Sequence, residues 1–156
     1  MKYKMMVLTL ILLMVGCQKK VEKKSTTIPE PVNIEFTLIG MGNLLGNGSE
    51  GIEAGSLWIT GQSEWNDLIE KMNTLYAVSD TFIESDIDFT TFDVIASFDI
   101  VRPHTGYVVQ VDKITDDSNN RIVQVALRVN NNGFEVPSQP YYLIKMSKSG
   151  KTVMFQ

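Results

Sequence analysis

Ser63-Glu64-Trp65-Asn66-Asp67-Leu68-Ile69-Glu70-Lys71-Met72-Asn73-Thr74-Leu75-Tyr76 is the one stretch of the chain with a convincing helical period. Trp65, Leu68, Ile69, Met72, Leu75 and Tyr76 recur at i, i+3, i+4, i+7, i+10 and i+11, so they form one apolar stripe. Asn66, Asp67, Glu70, Lys71 and Asn73 take the wet side. Ser63 is the expected cap, and Glu64 complements the positive end of the helix dipole. The spacing predicts a helix over 63–76 that covers one face of a sheet, with Trp65 as its largest anchor.

Outward from this helix the sequence reads as strands. Before it, Ile34, Phe36 and Leu38 alternate with Glu35 and Thr37, the pattern of a half-buried strand over 34–39. The glycines from Gly40 to Gly48 lack the spacing, the lysine and the following helix of a phosphate loop, so a bulged or bent strand with a turn is expected. Ser56–Thr60 is a second short strand. After the helix, Phe92, Val94, Ala96, Phe98 and Ile100 alternate with Asp93, Ser97 and Asp99. Tyr107–Ile114 and Arg121–Val129 are long and rich in β-branched residues, with a turn at Asp116–Asn120. Asn130–Gly133 is another turn, and Tyr141–Ser147 and Thr152–Phe155 are expected to form a hairpin around Lys148-Ser149-Gly150. With neighbours in sequence pairing, the expectation is an α+β domain: an antiparallel β-sheet with one amphipathic helix packed on it.

The N-terminus is an address. Met1-Lys2-Tyr3-Lys4 is followed by an apolar run from Met5 to Val15 and then by Gly16-Cys17. A basic start, a short apolar core and a small residue before the break read as a secretory signal. The run is shorter than the ~20 residues a spanning helix takes. Met14-Val15-Gly16-Cys17 resembles the lipobox of bacterial lipoproteins, which implies cleavage after Gly16 and acylation of Cys17. Residues 1–16 are then a cleaved signal peptide, 17–32 a lipidated tether and 33–156 the domain. Cleavage leaves 140 of 156 residues and removes Lys2 and Lys4, so 12 basic side chains face 18 acidic ones, a net charge of about −6. Such an acidic domain excludes nucleic acid as the expected partner. No other cysteine is present to pair with Cys17. The tether carries Lys19, Lys20, Lys23 and Lys24 and is stiffened by Pro29 and Pro31. Extended, it reaches roughly 50 Å at ~3.3–3.6 Å per residue. Acidic residues do not follow the cysteine, which points to an anchor facing the periplasm, on the outer membrane if the envelope is Gram-negative.

Candidate chemistry is sparse. His104 is the only histidine, so any histidine acid–base mechanism must use it. It stands between Pro103 and Thr105 in a strand-to-strand connection. Asp86 with Asp88 and Asp116 with Asp117 are the carboxylate pairs. Asp116, Ser118 and Asn120 have calcium-loop spacing, but Arg121 replaces the glycine such a loop needs. No metal and no cofactor is expected. Tyr107, Phe134, Tyr141 and Tyr142 offer aromatics at strand starts and in a loop, the residue type of protein-binding hot spots. Alternation sends Tyr141 and Tyr142 to opposite faces, so one should be exposed. Arg102, Tyr107 and the exposed member of that pair are the candidate partner surface.

Several short motifs recur in order through the C-terminal half. They are Asp88-Phe89, the strand Asp93–Phe98, Arg102-Pro103-His104-Thr105-Gly106-Tyr107, Pro140-Tyr141-Tyr142-Leu143-Ile144-Lys145 and Val153-Met154-Phe155. Over roughly residues 65–155 this resembles the PrcB C-terminal domain family, named for a lipoprotein subunit of a surface protease complex. The family usually has a glycine pair before the tyrosine, where this chain has Thr105-Gly106. The resemblance implies an accessory or assembly subunit; it does not imply a protease. The expected function is therefore a lipid-anchored, non-catalytic lipoprotein of the cell envelope that binds a protein partner. Two readings stand beside it: a small-ligand-binding lipoprotein using the groove between helix and sheet, and an enzyme centred on His104.

Overall fold

A computed structural model describes residues 30–130 and 132–156. The signal segment, Cys17 and the tether through residue 29 lie outside the described residues. The helix α1 spans Gln62–Met72, shorter than the stripe predicts. Gly61 stands at its N-cap, two residues before the expected Ser63, with no side-chain cap. Glu64 instead reaches back and accepts a hydrogen bond from the Thr60 amide at 3.0 Å, doing part of a capping box's work. At the other end the Asn73 amide group exchanges hydrogen bonds with Ser79, at 2.7 and 3.0 Å, which turns the chain away. Leu75 and Tyr76 therefore leave the stripe and are exposed. Trp65, Leu68 and Met72 are buried, and Trp65 is only 1% exposed, with its indole N–H donating to the Ser85 carbonyl at 3.0 Å.

The strands form two four-stranded sheets where the sequence suggests one. They are β1 (Val32–Asn33), β2 (Phe36–Leu44), β3 (Gly55–Ile59), β4 (Phe92–Phe98), β5 (Tyr107–Asp116), β6 (Asn120–Val129), β7 (Gln139–Ser147) and β8 (Thr152–Phe155). The middle sheet has the order β2-β7-β4-β3 and the outer sheet β1-β5-β6-β8. Mostly β with a single α-helix among the described residues, the domain is α+β. Strand β1 starts at Val32, which pairs with Asp116, so the ordered domain takes in the last residue of the predicted tether.

The middle sheet is covered on both faces, and alternation sorts its side chains between two cores. Val94, Ala96, Phe98, Tyr141 and Leu143 meet Trp65, Leu68 and Met72 of the helix. Ile95, Ile144 and Met146 meet Val111, Ile114 and Val123 of the outer sheet. Each fully buried Leu or Ile contributes roughly 1.5–3 kcal/mol relative to exposure. This second cover overturns the expectation of a polar face on β4: Asp93 and Ser97 are buried because they look toward the outer sheet. Ser97 shares a hydrogen bond with the Ser56 hydroxyl at 2.8 Å, and Asp93 pairs with Lys148.

The expected hairpin of β7 with β8 does not form. Both edges of β7 are already taken, by β2 and β4, so β8 crosses to the outer sheet and pairs with β6 in parallel. The bulge expected within Gly40–Gly48 falls just before it, where the β2 register shifts between Leu38 and Gly40, and the strand runs on through Leu44. The bulged Ile39 is buried and its carbonyl accepts the Ile83 amide at 2.8 Å. Between the sheets, Arg121 of β6 grips both carboxylate oxygens of Asp116, at 2.8 and 3.1 Å, and donates to the Ser147 carbonyl at the end of β7. Lys151 approaches the same carboxylate at 3.3 Å.

Candidate functional site

One end of the molecule is built by two connections, β4 to β5 and β6 to β7. Asp99 follows β4 and is held by its amide, which donates to the Pro140 carbonyl at 3.0 Å. Its carboxylate takes the Arg102 guanidinium in a fork at 2.6 and 3.0 Å. That carboxylate raises the Arg102 pKa above its ordinary value, against the opposing effect of burial. The Arg102 backbone is fixed as well, bridging Ser138 through hydrogen bonds of 2.7 and 2.9 Å. The guanidinium lies 4.7 Å from the centre of the Tyr107 ring, a cation–π distance. On the same tyrosine, the His104 ring sits with its centre 4.7 Å away. His104 Nδ1 accepts the Gly106 amide at 3.1 Å, which assigns the imidazole proton to Nε2. Asp99, Arg102, Tyr107 and His104 thus form one braced stack, partly open to water.

Beside the stack the two connections cross at van der Waals contact. A Cβ on Gly106 would strike the Asn130 carbonyl, and one on Gly133 would strike the Gly106 backbone. Only glycine permits this approach. The crossing lets Thr105 clamp the next residue of the facing loop: its amide donates to the Phe134 carbonyl at 3.0 Å and its hydroxyl accepts the Phe134 amide at 2.9 Å. Phe134 is thereby held by its backbone while its ring is 79% exposed, the most exposed large apolar side chain among the described residues. Ile100, Val101 and Val136, also exposed, belong to the same two connections.

Of the sequence-predicted partner residues, the structure brings Arg102 and Tyr107 together and removes Tyr141. Tyr141 is 3% exposed in the helix-side core, its ring centre 6.3 Å from that of Phe82. Burial raises its hydroxyl pKa, with a hydrogen bond from Thr81 opposing. Tyr142 is the more open of the pair, as alternation requires, but it packs half-buried against the core between the sheets. Burial raises its pKa too, and the Asp112 charge adds to the effect. The supporting Asp99 and the exposed Val136 lie outside the sequence-level site. Asp99 had a signal, an acid three residues before an arginine, whereas nothing local marks Val136.

The other candidates resolve into structural roles or a groove. Asp88 accepts hydrogen bonds from the Thr90 and Thr91 hydroxyls and the Thr90 amide, which lower its pKa and set the turn into β4. The Asp116–Asn120 turn is an Asx turn, with Asp117 accepting the Asn119 and Asn120 amides at 2.8 and 2.6 Å. Among the described residues no group of three or more His, Cys, Asp or Glu is placed to hold a metal, and no helix is long and apolar enough to cross a membrane. A groove of about 430 Å³ lies between α1 and β3, floored by Ile52, Leu57 and Leu68. Cysteine 17 falls outside the described residues. No protein-family model, no curated protein and no solved structure matches the chain.

Proposed function

We propose that this chain is a lipid-anchored lipoprotein of the cell envelope whose domain binds a protein partner, without catalysis, through the end that carries Arg102, Tyr107 and Phe134. The carrying observation is Phe134, an exposed aromatic whose backbone is clamped at 2.9 and 3.0 Å by Thr105. A backbone that is already held forfeits little entropy on docking, and arginine with aromatics is the composition of binding hot spots. Arg102 is held in the Asp99 fork, so its charge is presented without a search through rotamers. The lipobox resemblance at Met14–Cys17 supports the anchor. The motifs resembling the PrcB C-terminal domain family support an accessory subunit, with a protease complex as the partner class.

The test is crosslinking on intact membranes followed by copurification, with the parent chain, Phe134→Ala and Arg102→Ala. The parent should retain a defined set of envelope proteins that both variants lose while keeping parental melting temperatures. Unchanged copurification by both folded variants would refute the surface. A parent that captures no protein would refute the binding function.

A further inference from the structure

We propose that β3 is a docking edge for an extended peptide from another protein, one that carries lysine or arginine at alternate positions. This goes beyond the surface above and stands on separate residues. The four sheet edges are not alike. Strand β2 is blunted by its bulge at Ile39 and by the Ile83 amide that bonds there. Strands β1 and β8 offer only two and four residues, and the lengths of β5 and β6 that they leave uncovered carry Asp112, Lys113 and Arg128, with a register shift after Val111. Strand β3 pairs with β4 alone among the described residues, and Gly55-Ser56-Leu57-Trp58-Ile59 contains no charge, no proline and no bulge. These are the devices that keep an edge from recruiting a further strand.

Both faces of this edge are prepared for side chains. Leu57 is 47% exposed and floors the groove against α1. Trp58, on the opposite face by alternation, is 38% exposed. The groove walls carry Glu53, Glu64 and Asp67 against one cation, Lys71. Glu53 and Asp67 take part in no ion pair among the described residues, and the Glu64 carboxylate accepts only from Thr60. A strand added about 4.8 Å beyond β3 would send alternate side chains into this groove. There a lysine or arginine can lay its methylenes on Leu57 and bring its charge to the carboxylates. The intervening side chains would fall beside Trp58, which suits apolar residues. Backbone pairing supplies affinity and the alternate pockets supply choice, as in other strand additions.

The test uses the full-length chain and a fluorescent peptide of about six residues, the commonest strand length, alternating valine and lysine. Three comparison peptides are needed: one alternating valine and glutamate, and the lysine peptide N-methylated at every second amide in each of the two registers. Anisotropy should report saturable binding of the lysine peptide, quenching or shift of tryptophan emission, and loss of binding for the glutamate peptide and for one methylated register. Exposed charge contacts are worth roughly 1.4- to 5-fold each, so Glu53→Gln with Asp67→Asn should weaken binding roughly two- to twenty-fivefold. Three results would overturn the proposal: no binding of the lysine peptide, equal binding of the lysine and glutamate peptides, or undiminished binding in both methylated registers. A fourth concerns the chain's own lysines. If replacing Lys19, Lys20, Lys23 and Lys24 by glutamine tightens peptide binding about tenfold or more, the groove serves this chain's own segment and not a partner.

Discussion

Replacing Arg121 by methionine removes the bond between the two sheets without emptying the space. Arg121 is 3% exposed, and its partner Asp116 has a side chain 11% exposed. Breaking a buried pair on one side costs about 3–5 kcal/mol, because the remaining charge stays buried. The Ser147 carbonyl loses its donor as well, an effect of about 1–3 kcal/mol where no water replaces it. Lys151 remains 3.3 Å from Asp116 and takes over part of the compensation. The expected loss for Arg121→Met is therefore at the lower end, about 3–4 kcal/mol. Adding Asp116→Leu removes the stranded carboxylate. Lys151 then keeps its bond to the Asp117 carbonyl at 2.6 Å and its access to water, so the double variant should recover the cost of the stranded charge and retain only the Ser147 deficit, about 1–3 kcal/mol. Urea unfolding at neutral pH, read at constant slope, measures all three values. Acid adds a sign test. Arg121 is the chief cause that holds the Asp116 pKa below its ordinary value of 3.8, ahead of Lys151. In that window the unfolded chain binds the extra proton, so stability rises with pH and is lost as pH falls through the lowered folded value. The parent should lose this contribution on acidification below about pH 4, and the deficit of Arg121→Met should narrow there. A single variant within about 1 kcal/mol of the parent, or a double variant as unstable as the single, would refute the account.

Trp65→Ala should cost about 3–5 kcal/mol in the same urea assay, since the indole is buried and its N–H serves the Ser85 carbonyl. Gly106→Ala should destabilise by about 1–3 kcal/mol through overlap with the Asn130 carbonyl, and amide exchange should rise at Phe134, whose clamp depends on that crossing. Phe134→Ala should change stability by no more than about 0.5 kcal/mol, because the ring touches mainly water. Cys17→Ala should release the protein from membranes into the carbonate-soluble fraction, and retention after carbonate washing would sink the anchor.

What the sequence disclosed follows from how local each feature is. The stripe of Trp65, Leu68 and Met72 is a property of one turn after another, so the helix was legible and so was its buried face. Its early end was not, because Asn73 is claimed by Ser79, a contact outside the period. The strand positions were legible from alternation and β-branching. Their assignment to two sheets was not, because pairing depends on which edges are free. A signal existed for the second layer: Tyr141–Met146 is almost continuously apolar, the mark of a strand buried on both faces. At the candidate surface, Arg102 and Tyr107 are close in sequence and were found together. Which of Tyr141 and Tyr142 is the buried one was open in the sequence, because it could be decided only by knowing where α1 packs.

The middle sheet gives neighbouring codons unrelated constraints. Along β4 and β7, one residue belongs to the core under the helix and the next to the core under the outer sheet. Tyr141 answers to Phe82 and through it to Trp65, while Tyr142, one position on, answers to residues of the opposite layer. Compensating substitutions should therefore link odd and even positions of the same strand to different partners. The two strands also belong to both cores at once, so neither core can melt and leave the other standing. A single cooperative transition, with the slowest amide exchange in β4 and β7, is the physical signature of that shared wall.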